Sequence, residues 1–229
     1  MGLSQALFTA MSGLRANQAA LALVSSNVAN AETPGYIRKE SVQVAATAGD
    51  TGTGVLVTGV NRVLDQYIQS QVRTELSGAS YANTRASFLS SLQSLYGDPG
   101  SAGTLEAAFN SFTNALQGLS TSPDSPAARI GAVNAAAQLA QQLNVTSQGI
   151  QALRANADAG IADSVRSANN AMAQIAAINV QLLRSGGTDA STAALLDQRD
   201  QYIDQLSQLM DIKVVANDSN QVTVFTTAG

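Results

Sequence analysis

From Pro126 to about Arg184 a row of mostly apolar residues recurs at steps of three and four, through Ile130, Val133, Ala140, Leu143, Ser147 and Ile150 and then Ile161, Val165, Ala168, Met172, Ile175 and Leu182. That period belongs to an α-helix. Ser125 followed by Pro126 supplies the cap and first-turn proline with which helices begin. At about 1.5 Å per residue such a helix is roughly 87 Å long. Gly131, Gly149 and Gly160 each weaken it by about 1 kcal/mol relative to Ala, so continuity and a break near Gly149 or Gly160 both stay open. The expected fold is mainly α, an elongated antiparallel helical bundle with coiled-coil-like seams.

Other segments repeat the pattern. Leu7, Leu14, Leu21 and Val28 recur every seven residues, with Met11, Gln18 and Ser25 at the intervening step, a seam with a weak second position over residues 1–30. It reads either as a surface helix of a globular domain or as a helix awaiting a partner. Helical rows resume from Leu64 to Tyr96. Thr104 caps a seam of Leu105, Phe109, Phe112, Leu116 and Leu119, and the last helix carries Leu195, Tyr202, Leu206 and Leu209. With 45% apolar but only 4% aromatic residues, and no Trp, the core is built from Ala, Leu, Ile and Val.

The run "NVANAETPGYIRKE" stops the first helix. Asn27 and Asn30 tolerate the left-handed turn that ends helices, Pro34 holds Thr33 extended, and Pro34-Gly35 suits the centre of a type II turn. Beyond it, "YIRKESVQVAA" and "GVLVTGV" read as a short β arm over residues 31–63. The helical bundle is expected over 64–211. Residues 212–229 read as a β-hairpin with nothing to pack against, hence the start of a β domain cut short.

Without Cys or His, thiolate sites and the usual neutral-pH base are missing. No Ser/His/Asp arrangement exists, and Lys39 and Lys213 sit in no recognisable motif, so no enzyme, metal or cofactor is expected. Asp197, Asp200, Asp204 and Asp211 lie along one face of the last helix. They would hold Mg²⁺ or Ca²⁺ only with ligands from a second element, and no other acidic cluster is visible. They are read as a solvated stripe beside Arg199, opposite Leu196, Ile203 and Met210. Gly49, Gly52 and Gly54 lack the Lys-Ser/Thr of a phosphate cradle. The glycosylation patterns at Asn144 and Asn217 are treated as chance. A net charge of −4 with scattered Arg leaves no footprint for nucleic acid. Polar interruptions in every apolar run, and no basic residue before Arg15, fit neither a Sec signal nor a membrane span.

The stretch "SSNVANAETPGY" is similar to the signature of the bacterial flagellar rod, hook and hook-associated proteins, Asn-x-x-Asn-x-x-Thr-Pro-Gly-Tyr, carried here by Asn27, Asn30, Thr33, Pro34, Gly35 and Tyr36. The preceding thirty residues resemble that family's opening helix. The long helical block with "LLDQRDQYIDQLSQLMDIKVV" resembles the hook-associated branch at the hook-filament junction. The resemblance runs through the chain and is strongest at 1–38 and 193–215.

What the resemblance implies is structural. Leu7, Met11, Leu14, Leu21 and Val28 would be the assembly seam, and the signature turn would separate an inner-tube helix from an arm and an outer domain. The partners implied are further copies in a helical homo-oligomer, the hook protein, the next hook-associated protein, and an export chaperone that binds a C-terminal region missing here. The location implied is the extracellular flagellum, reached by type III export. The family's C-terminal helix has no counterpart, so the sequence is expected to be an N-terminal portion, and residues 1–30 are expected to order only on assembly. The alternative from another class is a chaperone-like coiled-coil module whose Leu7–Val28 seam grips a client helix. Such a module has no need of Thr33–Tyr36.

Overall fold

The computed structural model describes residues 2–48, 51–185, 187–217 and 220–227. In chain order they form α1 (Leu3–Ala29), β1 (Lys39–Ala48), β2 (Thr51–Arg62), α2 (Gln66–Tyr96), α3 (Leu105–Thr121), α4 (Pro126–Ser185), α5 (Ala190–Leu209), β3 (Ile212–Ala216) and β4 (Val222–Thr226). The mainly α fold, with a hairpin after the first helix and another at the end, agrees with the sequence reading. β1 and β2 pair antiparallel with register shifts at Val42/Gln43 and Ala46/Thr47, and β3 pairs antiparallel with β4. Among the described residues no helix is long and apolar enough to cross a membrane.

The helix ends follow local chemistry. Thr104 accepts from the Ala107 amide to open α3, and Asp189 accepts from the Thr192 amide to open α5. The bond from the Thr192 amide, with one from the Ser191 hydroxyl, holds the Asp189 carboxyl below its ordinary pKa. Asp65, which the sequence reading passed over, accepts from the Tyr67 and Ile68 amides ahead of α2. α4 runs unbroken for 60 residues. Gly149 is not a break in it: a Cβ there would lie 2.2 Å from Leu95 Cδ1, so this glycine lets α2 approach.

The chain forms two compact units, Met1–Ala79 with Arg166–Gly229, and Ser80–Val165. This division crosses the linear one expected from sequence, because the last quarter or so of the chain packs with the first third. In the first unit the core is Ala168, Ala171 and Ile175 of α4 against Ile203 and Leu206 of α5. Ile203 and Leu206 are 0% and 1% exposed, and burying each is worth about 1.5–3 kcal/mol. Ile212, Val214, Val222 and Val224 pack against this cluster. The expectation that the last hairpin has nothing to pack on is thereby corrected: alternate residues of both strands cover the α4–α5 core.

α1 is also less solitary than its sequence indicated. Thr9 Oγ1 donates to Thr53 O at 2.9 Å, and Ser12 Oγ accepts from the Val55 amide at 3.1 Å. Ala16, 3% exposed, lies on the same stripe. Small residues at Thr9, Ser12 and Ala16 let the hairpin backbone approach the helix, and the large apolar side chains point away. Leu7, Met11, Leu14, Leu21 and Val28 are all between 42% and 72% exposed.

Candidate functional site

The signature residues form one hydrogen-bonded corner between α1 and β1. The Asn30 amide and its Nδ2 both donate to Ser26 O, which closes the last turn of α1. Thr33 Oγ1 donates to Asn30 Oδ1 at 3.3 Å. The Tyr36 amide donates to Thr33 O at 3.1 Å across Pro34-Gly35, and Gly35 has φ +78°, the geometry of a type II turn. Asn27 then fastens the exit. Its Nδ2 donates to Lys39 O at 2.8 Å, while its Oδ1 accepts from the Lys39 amide at 3.0 Å and from the Tyr36 hydroxyl at 2.9 Å. One side-chain amide thus stands in for a neighbouring strand at the first residue of β1.

The corner rests on α5. Gln201 Nε2 donates to Pro34 O at 3.3 Å. Beside it runs a ladder of alternating charge. Lys39 Nζ pairs with Asp197 Oδ2 and stands 3.8 Å from the centroid of the Tyr36 ring. Arg62, at the end of β2, places Nε 2.9 Å from Asp197 Oδ1 and Nη2 against Asp200 Oδ2. Arg73 of α2 bonds Asp200 Oδ1 at 3.2 Å and Asp204 Oδ1 at 2.7 Å. Three cations meet three carboxylates, and each oxygen of Asp197 and Asp200 has its own cation. Such sharing repays part of the cost of removing the charges from water.

Arg199 faces another way. It is 6% exposed, and Nη1 donates to Asn220 O and, at 3.3 Å, to Asn179 Oδ1. Burial lowers its pKa; Asp200 opposes the shift, and Arg62 and Arg73 add to it. Asn179 in turn donates to Val222 O at 2.9 Å and accepts from the Val222 amide at 3.3 Å. The device of Asn27 is repeated here, with a helix asparagine tacking down the first residue of β4.

The solvated acidic stripe is therefore corrected. Asp197 and Asp200 are buried and Asp204 half-buried, all three committed to cations, and Asp211 lies beyond the end of α5. No group of three or more His, Cys, Asp or Glu among the described residues has the geometry to hold a metal ion. Arg199, expected beside the stripe in solvent, is buried against the last hairpin. Lys39, to which the sequence reading gave no role, is a member of the ladder. Arg62, Arg73, Asn179 and Gln201 were missed as well. The usable signal was the acidic spacing itself, which needed cations more than a hundred residues away. Asn144 is exposed on α4, whereas Gly49, Asp218 and Ser219 lie outside the described residues.

The site joins the two segments that carried the sequence resemblance, and the comparisons with known proteins fall in the same places. Residues 89–229 match the family of flagellar hook-associated protein FlgK helical domains, and residues 7–36 match the flagella basal body rod protein family. Flagellar hook-associated protein 1 of Bacillus subtilis is 33% identical over 93% of this chain and 44% of its own length. The Salmonella typhimurium protein of that name is 35% identical over 91% and 39%. The Escherichia coli one is 31% identical over 97% and 42%. The chain thus spans about two-fifths of the length of these relatives. The flagellar hook junction protein FlgK from Burkholderia pseudomallei superposes with a TM-score of 0.63 at 28% identity, over 70% of this chain and 28% of that one.

Proposed function

Since the chain belongs to the flagellar hook-associated protein FlgK family, we propose that the protein it represents is a non-enzymatic structural component that joins hook to filament by helical polymerisation through α1. The observation that carries this reading is the division of α1 into two faces. Thr9, Ser12 and Asn27 fasten one face to the hairpin, which leaves Leu7, Met11, Leu14, Leu21 and Val28 together in solvent. A single-sided apolar helix held at a fixed corner suits head-to-tail contacts that propagate rather than close within a pair. The neighbours are further copies, the hook protein and the next hook-associated protein. Export is by the flagellar type III route without a Sec signal, with a chaperone that binds the C-terminal region of the full-length protein.

The test is Leu14→Asp in the full-length protein, expressed in a strain lacking the gene. Exported protein with hooks that carry no filaments is the expected result. Filaments of normal number would overturn the seam assignment. Capture of a client helix by α1 without addition to purified hook ends would favour a chaperone-like module instead.

A further inference from the structure

We propose that the charge ladder is a latch: it holds α1 and the β1–β2 hairpin to α5 as a unit that opens on its own while the α4–α5 core stays folded. The apolar cluster of Ala168, Ala171, Ile175, Ile203 and Leu206, with the side chains packed on it, draws no residue from α1, β1 or β2 among the described residues. A series of polar bonds joins the hairpin to the α5 region. Lys39 and Arg62 pair with Asp197 and Asp200, the Val60 amide donates to Thr188 O, and Thr188 Oγ1 donates to Thr58 O at 3.1 Å. Gln201 adds its bond to Pro34 O.

A buried network of this kind contributes little net free energy, because desolvation offsets most of the attraction, yet losing one member is costly because its partner stays buried and unpaired. The attachment is therefore weak in sum and abrupt in response. Regions that take no part in the main apolar cluster, as the hairpin takes none here, belong to the low-stability end of a protein's opening spectrum. The ladder gives that end a defined trigger, since Arg62 bridges two carboxylates and its release leaves one oxygen of each, Asp197 Oδ1 and Asp200 Oδ2, buried without a cation. Arg73, bound to Asp200 and Asp204, keeps α2 on α5 after the hairpin leaves. The latch is a property of this chain and does not depend on a role at the junction.

Native-state hydrogen exchange on the 229-residue chain reads it directly. In Asp200→Asn, amides of 39–48 and 51–62 are expected to exchange at least ~100-fold faster, as loss of one partner from a buried pair implies, with Ile203 and Leu206 amides little changed. Arg62→Met places the lesion on the hairpin side, away from the α5 core, and should give the same pattern should Asp200→Asn prove too disruptive. Asp204→Asn touches only Arg73 and should leave the hairpin protected. Hairpin and core amides accelerating together in Arg62→Met, or hairpin protection unchanged there, would overturn the latch.

Discussion

Gly35 and Gln201, 166 residues apart in sequence, approach so closely that a Cβ on Gly35 would lie 2.5 Å from Gln201 Cγ. The turn that ends the family signature is thus seated on the helix that carries the acidic row. Its conformation and its seat are fixed by the same residue, because Gly35 also has φ +78°.

Gly35→Val should therefore suffer twice, but unequally. A β-branched residue at that φ is strained by about 1–2 kcal/mol. The steric part is smaller, because Gln201 is flexible and will swing aside, losing its bond to Pro34 O. Urea unfolding of Gly35→Val with and without Gln201→Ala separates the two. The second change should recover less than half of the loss, and full recovery would show that the turn itself is unstrained. In the full-length protein Gly35→Val should be exported yet give unstable or absent junctions, scored by filament counts.

Asn27→Ala strips the Lys39 amide, Lys39 O and the Tyr36 hydroxyl of a partner at once. Leaving such half-buried groups unsatisfied costs about 1–3 kcal/mol. Faster exchange at the Lys39 amide with no change at Val222 is expected, and Asn179→Ala should give the converse. Acceleration at both amides in either variant would mean that the two hairpins do not respond separately.

Leu14 is 52% exposed, so Leu14→Asp should shift the stability of this chain by no more than about 0.5 kcal/mol. Thermal unfolding checks that figure. A large fall would mean that the seam already has a partner within the chain, and its loss of function at the junction would then have a trivial cause.

Element type was legible because period and punctuation are local. The row from Ile130 to Leu182, the Ser125-Pro126 start and the Pro34-Gly35 stop each act within a few residues. The candidate site was only half legible for the opposite reason. Asp197, Asp200 and Asp204 stand out by spacing, but whether such a row is solvated or buried depends on what lies opposite. Lys39, Arg62 and Arg73 come from three other elements and share no pattern with one another. The alternation of Val222 and Val224 marks a strand, but it does not show that the α4–α5 core lies against it. Nor does a seam show which face of its helix is already taken: the small residues Thr9, Ser12 and Ala16, which lie outside the seam pattern, are the docked side of α1.

The three interior glycines of α4 look alike in sequence, and the structure separates them. A Cβ at Gly131 or Gly160 meets nothing within 4 Å, whereas at Gly149 it meets Leu95 Cδ1 at 2.2 Å, Cδ2 at 3.1 Å and Cγ at 3.2 Å. Gly131→Ala and Gly160→Ala should each stabilise the chain by about 0.5–1 kcal/mol, through helix propensity and a less flexible unfolded state. At Gly149 the same gain is opposed by overpacking, which costs about 1–3 kcal/mol. Because Cγ as well as the methyls lies in the way, turning one rotor of Leu95 does not clear the space, and the steric cost wins. Gly149→Ala should destabilise, while in a Leu95→Ala background the same substitution should stabilise. That reversal, read from denaturant midpoints, separates a glycine that breaks helices from one that admits a neighbour. Stabilisation by Gly149→Ala in the unaltered background would show that α2 does not press on α4 at Leu95.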